Sequence, residues 1–400
     1  MGKIICYCAG AKHPAIAPNM RSLAEGFRAL GHEAVLCDCT DGAQVAACLK
    51  QLCEQPDSLA FTVGNNDLFL EIHADGDKWH PYAECDTPHV SVMLDVPYNA
   101  ASSGWDLPCR RHLVTLLDRN VASYLPLACP DKEMETLFLP LGGTEHLPKE
   151  QLFSGSRPYD VVVSAGFYVG ESWPARIWRR ADVPRTVRAV LDEAADLLET
   201  DPMNTWDGVR HVLAARGMLT KGERYAKGMI PYLSLLQRYI KQYRRLKAVA
   251  FLVEAGITPD VFGAGWESVP FADALRLHGG TTYAEMLDIV GKAKIVYQDN
   301  AEFANGAHDR VFTAMLNGAT VVSETSTYLA DEFQDGTEIF LFDWKQGARR
   351  VAEVIPALLA DEPLRLSAAL RAYAKAKARH TWTHRAARIA EAVELLYGRS

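Results

Sequence analysis

The hydrophobic positions of the first 150 residues alternate between short continuous runs and runs at helical spacing. Residues 3–10, "KIICYCAG", form an apolar run that ends in glycine. Apolar residues then recur at helical spacing from Met20 to Leu30, and Gly31 follows as a stop signal. Continuous runs return in "EAVLCDC" and "SLAFTVG". This alternation predicts a parallel sheet flanked by helices, which is a Rossmann-like domain.

The remainder of this half continues the same alternation. "HVSVMLD" and "NVASYL" are predicted strands, with a predicted helix through Leu113, Leu116 and Leu117 between them, and "METLFLPLGG" closes the series. Residues 148–160 are polar and contain Pro, Gly and Ser, which is typical of a linker. We therefore predict an N-terminal domain over residues 1–152.

The second half repeats the pattern after an interruption. A strand, "DVVVSAG", precedes residues 171–255, which are helical in pattern and predict an insertion. Strands then return in "PDVFGAGW", "KIVYQ", "ATVVSE" and "TEIFLFD". These runs predict a second Rossmann-like domain over residues 153–378, followed by a terminal helix, residues 379–400, packed back at the domain junction. The predicted fold class is α/β, with two Rossmann-like domains facing a central cleft.

Composition and charge exclude several classes of function. The chain has 400 residues, 48% of them hydrophobic, and a net charge of -8, so no overall positive field attracts nucleic acid or an anionic membrane. The basic run "RYIKQYRRLK" keeps helical apolar spacing, so we interpret its charges as the solvent face of a helix. No apolar stretch approaches the ~18 residues that span a bilayer, and the N-terminus does not resemble a signal peptide. These features predict a cytoplasmic protein with no transmembrane segment and no nucleic-acid partner.

All nine cysteines fall between residues 6 and 129. The pairs Cys6/Cys8 and Cys37/Cys39 are spaced by one residue, which is not the interval of a CxxC zinc or redox motif. Free cysteine is commonly a small buried residue, so we interpret these as reduced core thiols, with a metal site as the alternative.

Polar and glycine-rich stretches follow three predicted strands of the second half. Gly263 and Gly265 would let a ligand approach the backbone, although a plain turn explains them equally well. "LHGGTTYAEM" and "DNAEFANGAHDRVF" each lead into a helix whose free N–H groups could face a phosphate, and Arg310 would add a full charge. The alternative for the latter stretch is that Asn305 and Asp309 only cap the helix. Because ligands of such sheets bind beyond the carboxyl ends of strands, we predict an anion site there.

From about residue 244 to residue 397 the sequence resembles the C-terminal half of CgeB-like, GT-B-type glycosyltransferases. The most specific part of the resemblance is the block "RVFTAMLNGATVVS" followed by "FQDGTEI". In the N-terminal half, "HVSVMLDVPY" is similar to the Asp-Pro-bearing strand end of such proteins. The resemblance implies a nucleoside-diphosphate sugar of the UDP or GDP type held by the C-terminal domain, and an acceptor held by the N-terminal domain.

The resemblance also implies a set of donor-binding residues. Two glycines would line the diphosphate, four residues around the helix start would face diphosphate and sugar, two would lie near the base, and Thr313 takes the position of a ribose-binding glutamate. The full set is Gly263, Gly265, Tyr283, Glu285, Asn305, Gly306, His308, Arg310 and Thr313. The sequence departs from the family at Asn305 and Thr313, which stand where related retaining enzymes carry two glutamates. This leaves the nucleotide and the stereochemical outcome open.

No acidic cluster lies convincingly at a strand end, so we expect no metal, with the helix dipole and Arg310 stabilising the leaving diphosphate instead. An inverting transfer needs a general base, for which His13 in the loop after the first strand and Asp95 after "SVML" are the candidates. A retaining enzyme needs neither of them. His384 and Arg385 are expected to pack the terminal helix.

The sequence therefore predicts a metal-independent glycosyltransferase with no cofactor, acting on a glycan, a protein or a small-molecule acceptor. A homo-oligomer is left open as its assembly. Two alternatives stay open. One is a nucleotide-sugar epimerase, isomerase or hydrolase of the same fold, and the other is a non-catalytic nucleotide-sugar-binding protein, suggested by the missing glutamates.

Overall fold

The computed structural model describes residues 2–8, 17–65, 72–74, 77–98, 109–130, 132, 134–153, 156–167, 175–179, 182–221, 223–301 and 303–398. The chain divides into two compact units. The N-terminal unit comprises Met1–Gly142 and His380–Ser400, and the C-terminal unit comprises Gly143–Arg379.

The N-terminal unit contains one parallel six-stranded sheet and a small hairpin. In chain order its elements up to residue 142 are β1 (Lys3–Cys8), α1 (Ala17–Ala29), β2 (Glu33–Asp38), α2 (Gly42–Glu54), β3 (Leu59–Asn65), β4 (Ile72–Ala74), β5 (Asp77–Trp79), β6 (His89–Val92), β7 (His112–Leu116), α3 (Leu125–Ala128) and β8 (Glu135–Phe138). The sheet order is β2-β1-β3-β6-β7-β8, while β4 and β5 pair antiparallel with each other. Cys6, Cys8, Cys37 and Cys48 are buried in this unit, and all nine cysteines are free thiols.

The C-terminal unit contains a second parallel six-stranded sheet. Its elements are β9 (Tyr159–Ser164), α4 (Arg185–Leu198), α5 (Thr205–Ala215), α6 (Arg224–Met229), α7 (Leu233–Glu254), β10 (Asp260–Phe262), β11 (Arg276–Gly279), α8 (Tyr283–Gly291), β12 (Ala293–Gln298), α9 (Asp309–Leu316), β13 (Thr320–Glu324), α10 (Thr327–Glu332), β14 (Phe340–Phe342), α11 (Gly347–Ala360) and α12 (Glu362–Arg379). The sheet order is β11-β10-β9-β12-β13-β14. Helices α7, α11 and α12 supply residues to its main hydrophobic core.

The last helix, α13 (Trp382–Tyr397), belongs to the N-terminal unit and packs on α1. The contact is close, since a Cβ added at Gly26 would lie 2.9 Å from the Trp382 carbonyl oxygen. Arg385 is buried and donates from Nη2 to the Leu141 carbonyl oxygen at 3.4 Å.

The predicted α/β class is confirmed by two parallel six-stranded sheets with connecting helices. Strands β12 and β13 show why the pattern was visible: all but one of their residues are buried, as expected for central strands covered on both faces. The pair Asn317-Gly318 predicts the end of a helix. This is also confirmed, because α9 ends at Leu316 and Gly318 takes φ +74°.

Two local predictions are wrong, and one strand was not predicted. The run predicted as a helix through Leu113 is strand β7, whose five residues are all buried; its apolar spacing resembles a helical one by coincidence. "NVASYL" is not a strand, because Asp118 accepts from the Asn120 amide at 2.8 Å and begins a 3-10 helix. The strand that was not predicted is β11, a largely exposed edge strand without a continuous apolar run.

Among the described residues no helix is long and apolar enough to cross a membrane.

Candidate functional site

Four neighbouring strands of the C-terminal sheet end at one edge. Strands β10, β9, β12 and β13 are parallel, and they end at Phe262, Ser164, Gln298 and Glu324. Two of the three stretches that the sequence singled out, around Gly263 and around Asn305, therefore begin at this edge of the sheet. We call the residues between β12 and α9, 299–301 and 303–308, the β12–α9 connection.

Gly263 and Gly265 pack the strand ends closely together. A Cβ at Gly263 would lie only 2.1 Å from the Ala165 carbonyl oxygen. The Gly263 amide donates to the Gly279 carbonyl oxygen at 2.7 Å. Gly265 takes φ +94°, which favours glycine, and the next residue, Trp266, donates from Nε1 to Ala165 at 2.7 Å. Backbone packing thus requires glycine here independently of any ligand.

The start of α9 brings His308, Asp309 and Arg310 together at this edge. His308 caps the helix, and its Nδ1 lies 3.4 Å from the Arg310 amide and 3.3 Å from Arg310 Nε. The same imidazole pairs with the Asp309 carboxylate. Arg310 Nη1 donates to the Ser164 carbonyl oxygen, so the guanidinium extends from α9 to the end of β9. The predicted cation therefore lies at the strand ends.

Two buried carboxylates carry negative charge into the same region. Burial opposes ionisation of Asp309, but the charges of His308 and Arg310 and hydrogen bonds from both residues hold its pKa below the usual value. Burial likewise opposes ionisation of Asp299, and Arg245, Arg310 and Lys241 lower its pKa. Both groups are therefore ionised at neutral pH. The site combines a cationic cluster with two fixed anions, and is not purely positive.

Tyr283 and Thr313 converge on Thr144. The Tyr283 hydroxyl donates to Thr144 Oγ1 at 2.8 Å, and the Thr144 amide donates to Thr313 Oγ1 at 3.2 Å. Burial, with the nearby Asp309 charge, raises the pKa of Tyr283 to about 12. The Thr313 hydroxyl thus holds the start of the C-terminal unit, which is a structural use the sequence did not indicate.

The other predicted residues have separate surroundings. Glu285 is exposed and completes a capping box with Thr282, accepting from its amide and hydroxyl at 2.8 Å each. Asn305 lies in a turn of the β12–α9 connection, and the Gly306 carbonyl accepts from Ser326 Oγ at 2.7 Å. Asp95 lies in the N-terminal unit, exposed, in the bend after β6. His13 lies outside the described residues.

Sequence reasoning missed the charged residues beneath the connection. The interpretation of "RYIKQYRRLK" as a solvent face is wrong for Arg244 and Arg245, which are only 1% and 7% exposed. Arg244 pairs with Glu324 at 3.3 Å, and Arg245 pairs with Asp299 at 3.2 Å. Adjacent helical residues are about 100° apart, so both arginines fit the half of the helix opposite the apolar stripe, and the helical period gave no signal that they are buried.

Residues 242–391 match the model of a protein family described as glycosyl transferase-like. The matched segment contains every predicted donor-binding residue, from Gly263 to Thr313, together with Arg244, Asp299 and Glu324. A comparison with curated proteins found no match.

Solved structures extend the similarity to the whole chain at the level of the fold. The DNA-modifying enzyme β-glucosyltransferase, solved in the presence and absence of its substrate uridine diphosphoglucose, aligns with a TM-score of 0.52 and 9% identity, covering 99% of both chains. Alr3699/HepE of Anabaena in complex with UDP and glucose aligns at 0.49 with 13% identity, covering 99% of this chain and 100% of that one. AviGT4, a glycosyltransferase involved in avilamycin A biosynthesis, aligns with a TM-score of 0.49 and 12% identity, covering 99% of this chain and 98% of that one. Together with the two parallel sheets, the alignment with β-glucosyltransferase assigns a GT-B fold.

Proposed function

We propose that this protein is a CgeB-like glycosyltransferase that moves a sugar from a nucleoside diphosphate of the UDP or GDP type to an acceptor hydroxyl. The acceptor is a glycan, a protein or a small molecule. The single observation that carries the proposal is that the family match, residues 242–391, includes the charged residues at the carboxyl edge of the C-terminal sheet. These residues are Arg245, Asp299, His308, Asp309 and Arg310. The cytoplasmic location predicted from the sequence is part of the proposal.

Arg310 supplies the main positive charge to the departing diphosphate in this proposal. A helix start carries about half a positive charge, but the ionised Asp309 in the first turn of α9 offsets it. A guanidinium has five N–H donors in a planar fork, a geometry that suits the oxygens of a diphosphate. Charge stabilisation by a fixed guanidinium supports transfer without a metal ion.

The acceptor side of the proposal keeps two candidate bases. Asp95 follows β6 in the N-terminal unit and is exposed, so its carboxylate is accessible to a substrate. His13 is the second candidate. An inverting enzyme would use one of them to remove the acceptor proton, whereas a retaining enzyme would use neither.

The first test is thermal denaturation of the protein with UDP, GDP and their sugars. A ligand at 100 times its dissociation constant stabilises the folded protein by about 2.7 kcal/mol, which gives a clear rise in melting temperature. If no nucleotide or nucleotide sugar raises the melting temperature, the proposal is wrong.

Arg310→Ala tests the site itself. We expect the variant to remain folded and to lose about 1.5–3 kcal/mol of diphosphate binding, or roughly 10- to 150-fold in affinity by calorimetry. The matched control is Arg349→Ala on α11, since Arg349 is exposed and pairs with Glu353 one helical turn away. Equal affinities of both variants and the native protein would remove Arg310 from the site.

Turnover assays separate the alternatives. A nucleotide-sugar epimerase, isomerase or hydrolase would convert the donor at full rate without an acceptor. A non-catalytic binding protein would bind the donor but transfer nothing to any acceptor pool.

A further inference from the structure

Glu324, the last residue of β13, is a carboxylate enclosed by donors. It is 1% exposed. Its Oε1 accepts from Trp344 Nε1 at 2.7 Å and from Arg244 Nη1 at 3.3 Å, and its Oε2 accepts from the Asn300 amide at 2.9 Å. Only a group with two acceptor oxygens and no donor satisfies all three, because a glutamine would turn an NH2 toward one of them.

Arg244 balances the charge of Glu324 and is itself firmly held. Its Nε and Nη2 donate to the carbonyl oxygen of Leu198, the last residue of α4, at 3.0 and 2.8 Å. The carboxyl end of a helix favours a cation. Nη2 also donates to the Asp201 carbonyl oxygen. Burial raises the pKa of Glu324, and the positive charge of Arg244 opposes that rise, as do the hydrogen bonds from the Asn300 amide and Trp344.

The residues after Glu324 make further contacts with the β12–α9 connection. Ser326 Oγ donates to Gly306 at 2.7 Å, and the Thr327 amide donates to Ala304 at 2.9 Å. Within the connection, Asn300 Nδ2 donates to Phe303 at 3.0 Å. Residues 324–327 therefore fix the connection at its beginning, middle and end.

We infer that Glu324, neutralised by Arg244, is a positioning residue that holds the β12–α9 connection, and with it Asn305, His308 and Arg310, in the arrangement that binds the donor diphosphate. This inference rests on the proposed function. Glu324 lies beneath the connection, so it acts through the backbone and not by touching the donor.

The decisive variant is Glu324→Gln, compared with Asp260→Asn. Asp260 is also a buried carboxylate, 4% exposed and paired with Arg276 and His278, but it begins β10 and so lies at the amino edge of the same sheet. Both substitutions convert a buried carboxylate to an amide, and only the first removes a contact with the connection. Affinity for UDP and GDP is measured by calorimetry at a temperature where circular dichroism shows each variant folded, so a loss of global stability does not change it.

Hydrogen exchange followed by mass spectrometry gives a readout that needs no ligand. We expect Glu324→Gln to weaken nucleotide binding at least 10-fold and to accelerate exchange in peptides covering residues 299–308, while Asp260→Asn changes both less than twofold. Ser326→Ala is the second variant if Glu324→Gln fails to fold, because it deletes only the contact with Gly306 and the cap of α10. This variant should weaken nucleotide binding about threefold and accelerate exchange in the same peptides.

The outcomes separate this inference from the proposed function. Unchanged exchange in residues 299–308 of the Glu324 or Ser326 variant overturns the inference, and so does accelerated exchange with native affinity. If the native protein binds no nucleotide or nucleotide sugar, the proposed function fails, and exchange alone decides whether Glu324 holds the connection.

Discussion

Two histidine side chains lie side by side in the core of the N-terminal unit. His89 on β6 and His112 on β7 are register partners, 0% and 4% exposed, with ring centroids 5.9 Å apart. His89 Nδ1 is 2.8 Å from Thr62 Oγ1, and His112 Nε2 is 2.9 Å from Ser91 Oγ. Among the described residues, ring contacts and charge interactions bring Tyr7, Tyr82, Cys109 and Lys132 against the pair, and none of these four carries a carboxylate that would stabilise an imidazolium.

Acid should therefore destabilise this unit. Burial, with the charge of Lys132, lowers the pKa of His112 to about 4, and burial, with His112, lowers the pKa of His89 well below its usual value. In the unfolded chain each imidazole takes up a proton near pH 6.5. Between pH 6.5 and 4 the unfolded state binds more protons, so stability falls as the pH falls. The free energy of unfolding falls by about 1.4 kcal/mol for each pH unit and each histidine in this range. His112 alone therefore accounts for a loss of about 3 kcal/mol, and His89 adds to it.

The test compares the native protein with His89→Asn/His112→Gln, in which amide groups replace Nδ1 of the first ring and Nε2 of the second without titrating. Hydrogen exchange in urea, from pH 7.5 to 4.5, reports the opening free energy of β6 and β7, with β12 and β13 of the C-terminal unit as an internal reference. Over this range we expect the opening free energy of β6 and β7 to fall by at least 2 kcal/mol more in the native protein than in the variant. The same pH dependence in both proteins would refute the reasoning.

Two further substitutions test local features of the C-terminal unit by urea denaturation. Gly263→Ala should cost about 2–3 kcal/mol because its Cβ would lie 2.1 Å from the Ala165 carbonyl oxygen, whereas Gly280→Ala, with open space around it, should stay within about 0.5 kcal/mol of the native protein. Equal effects would show that the strand ends separate easily. Thr282→Ala should cost about 1 kcal/mol by removing the capping box with Glu285, and no loss would mean that water replaces the cap.

The features that sequence predicted well are those that neighbouring residues determine. Strands β12 and β13 are continuous apolar runs, and Asn317-Gly318 ends α9 through local backbone preference. Strand β7 was missed because a short apolar run fits either a strand or a buried helix, and only its neighbours in the sheet decide between them.

The features that sequence could not predict depend on residues far apart along the chain. Arg244 is buried because Glu324, 80 positions later, and the end of α4, 46 positions earlier, provide its acceptors. Thr313 holds Thr144, which is 169 positions away. No periodicity in α7 or α9 contains this information, so the sequence located the strand ends of the site but not the residues that support them.

The departure at Asn305 and Thr313 agrees with the charges observed nearby. The C-terminal site already contains ionised Asp299 and Asp309, set against Arg245, Arg310, Lys241 and His308. Two glutamates at positions 305 and 313 would add two carboxylates to this site, and an incoming diphosphate would then meet less positive charge. With the neutral Asn305 and Thr313, the local excess stays positive. In the proposed reaction, donor binding therefore depends on Arg310 being held in place, and on Glu324 and Arg244, which support the connection that leads to it.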